Sequence, residues 1–363
     1  MSLIDVKNLT EGQIVAKNVF TRSGQLILSK DSCLSRQMIA RLKYYEIPSI
    51  YILDGEIPKA TQESIELQKQ VEQSHMAKML ASSEFKIFHE TYTHNVEVLE
   101  KNFNDIILKN TSVNELSLIT DTIELFEQNP SAYSLLGMLH IIKQIDDSTY
   151  AHSMNVAMLC RLIGVWMNFP KEDLDTLTLA GLLHDIGKCQ IPDDILLKPG
   201  KLTKQEYEFI KMHPQFGYNV LKNQTIHPSI KNAVLRHHER FDGTGYPAGL
   251  SGTEIDDVTS IVSIADVYDA MTATRCYRQS LCPFEVIATF EAEGLNKYNP
   301  KFIYSFLEHI VSSYVNSEVL LSNNQKGRIV LINKQLTRPV VQLENNYFID
   351  LEEHTDIYIQ TII

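Results

Sequence analysis

Apolar residues recur at helical spacing over the greater part of the chain. Between residues 112 and 313 they return every three or four positions, which is the spacing of one helix face. The candidate helices are 113–128, 131–145, 151–168, 172–187, 203–222, 227–238, 254–273, 283–293 and 300–315. A block of about 200 residues is long enough to bury one sizeable core. The pattern therefore predicts an all-α domain.

The apolar runs become shorter on both sides of this block. Runs at 14–16 and 26–28 flank Thr-Arg-Ser-Gly, which predicts a hairpin, and Ser35 begins a candidate helix to about Tyr45. A strand is predicted at 50–53. Four further strands are predicted near the C-terminus, at 328–332, 340–343, 347–351 and 357–359. Since so small a sheet seldom stands alone, we expect it to pack on another segment, with the N-terminal unit as the candidate.

Residues 59–110 are polar and contain almost no glycine or proline, which favours long helices. Their apolar positions include Val96, Leu99, Phe103, Ile106 and Ile107. A helical connector and a dimerising helix both fit; we prefer the connector, and a homodimer stays open. The chain is thus predicted to be mainly α, in four segments: a small N-terminal α/β domain at 1–56, a helical connector at 57–111, an all-α domain at 112–315 and a short β-rich tail at 316–363.

The composition is that of an ordinary globular protein, with 44% hydrophobic and 21% charged residues. The net charge of −12 disfavours binding to nucleic acid polymers and gives no attraction to an anionic membrane. No apolar run of about 18 residues predicts membrane insertion, and the N-terminus lacks a secretory pattern. The five cysteines form no CxxC pair, so we expect reduced thiols in a cytoplasmic protein.

Residues suited to metal ligation concentrate in the helical block. Five of the twelve histidines and two aspartates lie on or at the end of predicted helices: His152, His184, Asp185, His213, His237, His238 and Asp266. A helical bundle can point such side chains into one interior. Imidazole with carboxylate suits Fe, Mn or Zn better than Ca or Mg. Seven ligands are too many for one tetrahedral zinc, and aspartate can bridge two cations, so a dinuclear centre is expected.

Each of these residues taken singly has an ordinary structural explanation. His152 would be a capping or core histidine, His213 would end a helix, and His237-His238 would lie on the surface. Asp266 would be a polar residue with a hydrogen-bond partner inside its helix. The metal interpretation is preferred because His-Asp-Ile-Gly-Lys, His-His-Glu-Arg-Phe-Asp-Gly and Asp-Val-Tyr-Asp-Ala occur in this order on helical segments.

The same stretches resemble the HD-GYP family, a branch of the HD phosphohydrolases. The likeness covers roughly residues 115–313, in the segments 152–157, 182–188, 198–202, 211–214, 237–247, 265–270 and 275–278. It implies an all-α HD-type helical bundle that is a catalytic domain. It further implies a metal-dependent phosphodiesterase that opens cyclic di-GMP to pGpG, and onward to GMP, in bacterial second-messenger signalling. Attack on phosphorus would come from a hydroxide that bridges the metal ions.

The resemblance also implies which residues hold which ion. One metal would take His152, His184, Asp185 and Asp266, and the second would share Asp185 and add His213, His237 and His238. Some family members hold a third metal with a glutamate four residues before the first histidine. That position is Ser148 here, a poor ligand, although Asp146 and Asp147 are close in sequence. Two divalent ions, Fe or Mn, are therefore favoured over three.

Three basic residues are candidate phosphate contacts. Lys188 follows His184 by four residues, so on a continuous helix it would share its face, and we expect it to contact phosphate or assist the leaving oxygen. Arg275 and Arg278 share a face beyond Asp266, and a guanidinium fork suits phosphate. The resemblance likewise implies phosphate contacts there. The alternatives are a solvated lysine and an exposed basic helix end.

The segment Asp242-Gly243-Thr244-Gly245-Tyr246-Pro247 is a loop by composition. Gly243 and Gly245 would allow positive φ or close backbone approach to a ligand, and Tyr246 offers a ring and a hydroxyl. With Asp242, they are our substrate-side candidates. The resemblance implies contacts of this loop with substrate and with diguanylate cyclase domains. The alternative is a structural turn whose tyrosine packs on the core.

Two other functions compete with the cyclic di-GMP phosphodiesterase. One is a catalytically slow cyclic-dinucleotide receptor or scaffold, for which Ser148 leaves room because metal number can govern activity. The other is a phosphodiesterase for another substrate, such as cyclic GMP-AMP or a mononucleotide. The predicted arginine pair favours a ligand with two phosphates and does not identify its bases.

Overall fold

The structure is a computed structural model that describes residues 1–363 except 11, 21–25, 29–33, 35–37, 40–41, 43–46, 54–77, 130, 147, 199–201, 273–282 and 294. Backbone contacts divide the chain into two compact units. The helical unit comprises Ser82–Met271 and Gly294–Ser313. The mixed unit comprises Met1–Ala81, Thr272–Glu293 and Tyr314–Ile363.

The helices follow the predicted succession closely, which confirms the mainly α fold class. They are α1 Ser83–Lys109, α2 Glu115–Glu127, α3 Ala132–Ile145, α4 Thr149–Trp166, α5 Lys171–Leu183, α6 Asp193–Leu196, α7 Lys204–Ile210, α8 His213–Leu221, α9 Pro228–Arg236, α10 Asp257–Thr272, α11 Pro283–Glu293 and α12 Pro300–Ser313. Of these, α11 lies in the mixed unit. None of the described helices is long and apolar enough to span a membrane.

Two of the predicted helices are interrupted in the structure. The helix predicted over 203–222 is two helices, because Pro214 in the first turn of α8 cannot continue a helix from α7. The helix predicted over 172–187 ends at Leu183, and a 3-10 helix runs over Ile186–Gln190. There Gly187 passes so close to α8 that an added Cβ would lie 2.0 Å from the carbonyl oxygen of His213.

Helix α4 is the centre of the helical unit, and it is buried over nearly its whole length. Ser148 caps its start by accepting a hydrogen bond from the backbone N–H of Ala151 at 3.2 Å. Helix α5 packs closely on α4 because Gly181 has no side chain; a Cβ there would lie 2.5 Å from Cα of Ala157. This approach brings the end of α5 toward the first turns of α4.

Helix α1 packs on α2, α3 and α4 within the helical unit. Four of its five predicted apolar positions, Val96, Leu99, Phe103 and Ile106, are buried, and Ile107 is half-buried. The Tyr92 hydroxyl, also buried, lies 2.8 Å from the carbonyl oxygen of Ala151 on α4. The described part of the predicted connector is therefore held by its own apolar face.

The N-terminal part of the mixed unit contains two antiparallel strand pairs. Strand β1 (Ser2–Asp5) pairs with β4 (Ser49–Ile52), and β2 (Val19–Phe20) pairs with β3 (Leu26–Leu28). The first strand of the predicted hairpin is therefore 19–20 and not 14–16. Val15, in the segment predicted as that strand, forms a bridge with Ile52 of β4. The predicted helix from Ser35 to Tyr45 lies largely outside the described residues.

The C-terminal part of the mixed unit is an antiparallel sheet with the order β8-β7-β6-β5-β9. Its strands are β5 Glu318–Leu321, β6 Lys326–Leu331, β7 Val340–Leu343, β8 Phe348–Asp350 and β9 Ile359–Ile362. The sequence pattern missed β5, which starts a few residues after α12, and set β9 two residues too early. Thr337 and Tyr314 contact Glu291 and Phe284 of α11, so the tail does not stand alone.

Candidate metal centre

The structure brings all seven predicted metal-ligating side chains together inside the helical unit. Their positions are one on α4, two in the turn after α5, one at the start of α8, two in the turn after α9 and one on α10: His152, His184, Asp185, His213, His237, His238 and Asp266. Their nitrogen and oxygen atoms form three overlapping groups, each within 4.8 Å: His152, His184 and Asp266; His184, Asp185 and His237; and His213, His237 and His238. We call the first group the His152 half and the last group the His213 half.

Asp185 lies between the two halves, and each of its carboxylate oxygens faces one of them. Oδ1 is 3.2 Å from Nε2 of His213 and 3.7 Å from Nε2 of His237. Oδ2 is 3.3 Å from Nε2 of His184 and 3.5 Å from Nε2 of His152. The carboxylate is therefore placed as a bridge between two ligand groups.

Asp266 completes the His152 half and reaches toward the other. Its Oδ1 lies 3.1 Å from Nε2 of His152 and 4.0 Å from Nε2 of His184. Its Oδ2 lies 3.9 Å from Nδ1 of His238. The predicted grouping of Asp266 with His152 and His184 thus has a geometric basis.

Four imidazole rings are turned so that Nε2 points to the centre of the cluster. Their Nδ1 atoms lie close to oxygens that can only accept: Gly181 O for His184, Ile210 O for His213, Ala233 and Val234 O for His237, and Asp269 Oδ2 for His152. Each Nδ1 therefore carries the proton, and in a neutral ring Nε2 is left as an acceptor. Metal-ligating histidines are typically fixed in this way.

The convergence of these acceptors shows that the residues fit divalent metal ions. Nε2 of His213 lies 3.2 Å from Nε2 of His237. Two facing acceptors make no hydrogen bond with each other. Oδ1 of Asp185 is buried and also lacks a hydrogen-bond donor. Cations placed among these atoms would satisfy all of them.

The buried carboxylates carry negative charge at neutral pH. Burial raises the pKa of Asp185, but nearby Lys188 and His184 outweigh it and hold that pKa well below the usual range. Burial also raises the pKa of Asp266, and hydrogen bonding to His152 outweighs it in the same direction. The centre therefore offers two ionised carboxylates in a place with little water, which favours cation binding.

The histidines of the two halves differ in their protonation. Burial, together with His184 and His213, lowers the pKa of His237 to about 3. Burial and the neighbouring His237 hold the pKa of His238 well below its usual value. Burial lowers the pKa of His152 as well, but its hydrogen bonds to Asp266 and Asp269 raise it to about 9. At neutral pH His237 and His238 are therefore neutral, while His152 carries a proton.

Lys188 contacts the centre by a route other than the predicted one. Because α5 ends at Leu183, Lys188 does not follow His184 on one helix face; it lies on the 3-10 helix Ile186–Gln190. From there its ammonium contacts Oδ2 of Asp185, and its side chain remains 23% exposed. The Lys188 ammonium is therefore partly exposed to solvent beside the carboxylate that we expect to bridge the two metal ions.

The glycine-rich loop lies against the His213 half. The Tyr246 ring stacks on the His238 ring, with centroids 4.7 Å apart and planes 22° apart. Gly243 has a φ of +79°, as expected for a turn glycine. Gly245 approaches the chain's own backbone, since a Cβ there would lie 2.4 Å from Cα of Glu239. Asp242 accepts hydrogen bonds from the Thr244 N–H and hydroxyl at 3.0 and 2.6 Å, so its carboxylate closes the turn.

Glu239 is a buried residue of the site that the motif analysis missed. It is 2% exposed, and its carboxylate accepts hydrogen bonds from the N–H groups of Ala248 at 2.6 Å and Leu250 at 3.0 Å. It thereby holds the far end of the loop beside the histidine pair. Its sequence signal was its place directly after His237-His238.

Asp269 and Lys143 are the other two residues that were missed. Asp269 accepts from Nδ1 of His152 at 2.7 Å, and Lys143 of α3 forms a buried ion pair with it. Asp269 had a sequence signal, because it follows Asp266 by three residues on one helix face. Lys143 lies outside every motif and had none.

Some predicted residues take other roles or lie outside the description. The hydroxyl of Ser148 is used as the cap of α4, and its N–H donates to Oδ1 of Asp146 at 2.8 Å. Asp147, Arg275 and Arg278 lie outside the described residues.

The part of the chain that contains this site is similar to a known protein family. Residues 136–302 match the family described as HD domain. That segment contains all seven residues of the cluster. His184-Asp185 is a histidine–aspartate pair within the matched segment.

The particular relatives are bacterial phosphodiesterases by name. The chain is 35% identical over 56% of its length to cyclic di-GMP phosphodiesterase PA4108 of Pseudomonas aeruginosa. It is 35% identical over 53% to a cyclic di-GMP phosphodiesterase of Thermotoga maritima, and 37% identical over 45% to 3'3'-cGAMP-specific phosphodiesterase 1 of Vibrio cholerae. These matches span 48%, 54% and 38% of the relatives, so about half of their length or less is covered.

Among solved structures, a HDG"Y"P protein from Bdellovibrio bacteriovorus, Bd1817, aligns with 84% of this chain and 97% of its own. The TM-score is 0.49 and the sequence identity 17%.

Proposed function

We propose that the chain is a metal-dependent phosphodiesterase that hydrolyses a cyclic dinucleotide. Cyclic di-GMP is the preferred candidate substrate, which would be opened to pGpG and then hydrolysed further to GMP. The observation that carries the proposal is Asp185, a buried carboxylate whose two oxygens face two separate groups of ring nitrogens. The names of the relatives over the same segment support the substrate class.

In this proposal two divalent ions, Fe or Mn, occupy the two halves. His152, His184, Asp185 and Asp266 would hold one ion, and Asp185, His213, His237 and His238 would hold the other. When bound, such a pair clamps the oxygens of a phosphodiester and activates water for in-line attack. A third ion is not favoured, because the side chain of Ser148 caps α4.

The remaining site residues bind and orient the substrate. The Lys188 ammonium is beside Asp185 and half-open to solvent, where it contacts a phosphate oxygen or the leaving oxygen. The Tyr246 ring covers His238 and forms one wall of the site. Arg275 and Arg278 stay our candidates for binding the two phosphates. Asp242, Gly243 and Gly245 shape the loop on which Tyr246 stands.

Cyclic di-GMP and cyclic GMP-AMP differ in one base, so the identity of the substrate depends on which bases the site accepts. Relatives named for cyclic di-GMP and for cyclic GMP-AMP match this chain at similar identity, 35% and 37%. A phosphodiesterase for cyclic GMP-AMP is therefore the second candidate. A slow receptor is not favoured, because the full set of ligands converges.

We further propose a setting for this activity. The catalytic segment is 112–315, preceded by the α/β segment 1–56 and the helical segment 57–111 and followed by the β-rich tail 316–363. The protein would act in the cytoplasm, with diguanylate cyclase domains as partners of the loop at 242–247 and with a homodimer as a further option.

The test is metal analysis and turnover measured on one sample. The full chain is loaded anaerobically with Fe(II) or Mn(II) and assayed with cyclic di-GMP, cyclic GMP-AMP and pGpG. We expect two ions per chain and turnover of cyclic di-GMP. A chain with two ions that hydrolyses none of the three would sink the enzyme proposal in favour of a receptor. Preference for cyclic GMP-AMP would move the substrate to the second candidate.

A further inference from the structure

The rings of the cluster are oriented by two different kinds of partner. His184, His213 and His237 donate from Nδ1 to carbonyl oxygens three or four residues earlier, at 2.8, 2.7 and 3.1 Å. These bonds belong to the local helical turn. His152 donates instead to Oδ2 of Asp269 at 2.7 Å, and Asp269 follows 117 residues later on α10. The orientation of His152 therefore depends on tertiary structure.

Asp269 is itself held by Lys143, which reaches it from α3. The Lys143 ammonium contacts both Oδ2 and the main-chain oxygen of Asp269. The side chains are only 5% and 3% exposed. A buried carboxylate that loses its cation becomes an uncompensated charge, which is strongly destabilising in that position. Lys143 therefore determines whether Asp269 can remain beside His152 as a carboxylate acceptor.

We propose that Lys143 is a positioning residue of the metal centre. Acting through Asp269, it holds the His152 ring with Nε2 toward Asp185 and Asp266, and so sets the metal affinity of the His152 half. The inference rests on the proposed metal-binding function of the cluster. It adds to that function a residue nine positions before His152 that belongs to none of the motifs.

The chain offers a control in a second ion pair, of which the arginine is buried and the aspartate is partly exposed. Arg161 on α4 is 5% exposed and binds Asp175 at 2.9 Å and the Thr178 hydroxyl at 3.2 Å. Arg161→Met thus removes a buried cation from the same helical unit and from the helix that carries His152. It loses stability for the same physical reason as Lys143→Met, without acting on Asp269.

The experiment is an anaerobic Mn(II) titration of the full chain, followed by metal analysis and by electron paramagnetic resonance. In Lys143→Met one of the two ions should bind more weakly, by up to about the 10–100-fold that is usual when the outer partner of a ligating histidine, here Asp269, is lost. The exchange-coupled signal of a manganese pair should give way to that of a single ion. Arg161→Met should keep both ions, and Lys143→Arg should restore the second ion.

A double-mutant cycle tests whether Lys143 acts through His152. In a His152→Ala background, Lys143→Met should change metal affinity little further, because the ring it positions is gone. Equal losses in both backgrounds would contradict the route through His152. If Lys143→Met does not fold, Lys143→Gln takes its place, since it is neutral but still donates a hydrogen bond.

The outcomes separate this inference from the proposed function. Wild-type chain with two ions, together with Lys143→Met that binds two ions equally tightly, overturns the inference and leaves the function intact. The same follows if Arg161→Met loses the second ion to the same extent. A wild-type chain that takes up no metal overturns both.

Discussion

The two halves of the histidine–aspartate cluster use similar ligands but are built differently. In the His213 half the three ligands are imidazoles, and two of them are oriented by carbonyl oxygens of their own helical turns. In the His152 half a carboxylate takes part, and His152 is oriented by Asp269 on another helix. Two adjacent groups of candidate ligands in one cluster thus differ both in ligand type and in the partners that orient their rings.

Protonation separates the halves further. The pKa of His237 is lowered to about 3, chiefly by burial, so this ligand has no proton to lose at neutral pH. The pKa of His152 is raised to about 9 by Asp266 and Asp269 against the effect of burial. An ion that enters the His152 half must therefore displace a proton, since metals bind the neutral ring. We expect the His213 half to load first at neutral pH.

The largest expected effect comes from removing the carboxylate that joins the halves. Asp185→Ala should lose both ions and lower turnover by about 1000-fold or more, because the metal pair supplies several kcal/mol of transition-state stabilisation. Metal analysis and turnover on one sample measure this. Asp242→Ala is the control, since that carboxylate closes a turn, and it should keep both ions. One tightly bound ion left in Asp185→Ala would show that Asp185 serves a single half.

A smaller effect is expected when one half is broken by itself. His238→Ala should remove the ion of the His213 half and leave one ion per chain. Turnover should fall by about 100-fold, which corresponds to the loss of about 2.7 kcal/mol of transition-state stabilisation. The remaining ion should still depend on His152, which a His152→Ala, His238→Ala double variant checks. Loss of both ions in the single variant would mean that the halves load only as a pair.

The smallest effect is a dependence of stability on pH. A folded pKa of about 9 for His152 exceeds the unfolded value of about 6.5. The protonated ring therefore stabilises the metal-free chain fully below about pH 6.5, and this stabilisation is lost as the pH rises through about 9. Thermal unfolding should show the Tm of the metal-free chain falling by a few degrees over that window.

Two samples control the pH experiment. In His152→Ala the fall of the Tm between about pH 6.5 and 9 should be smaller, because the titrating ring is absent. In the metal-loaded chain the Tm should not fall over this pH range, because the metal ion replaces the proton on the His152 ring. An unchanged fall of the Tm in His152→Ala would remove His152 as the source of the difference between the halves.

Most helices of the structure followed from apolar spacing and from capping residues, which are local properties. Ser148 and Thr203 both cap helices, as their residue types favour. The errors came from longer-range effects. The turn after α5 depends on Gly187, which packs against the backbone of His213 and Gly217 in α8. The break after α7, by contrast, had a local signal in Pro214. Strand β5 was missed because a short apolar segment after a helix has no period of its own.

The candidate ligands were found in advance for a similar reason. His184-Asp185 and His237-His238 are adjacent in sequence, so their type and order were visible without any structure. Lys143 was not found, because a single buried charge outside the motifs has no local pattern, and Glu239 was not found although it directly follows His237-His238. Their roles exist only where α3, α10 and the loop meet other segments.

Residue type and short-range order were enough to predict the helical block, the seven candidate ligands and their resemblance to one family. The tertiary structure decided which oxygen of Asp185 faces which histidines, which partner orients each ring and why the two halves differ in protonation. Those properties depend on burial and on distances of a few ångströms between helices, since charge and hydrogen bonding act through space and not along the chain.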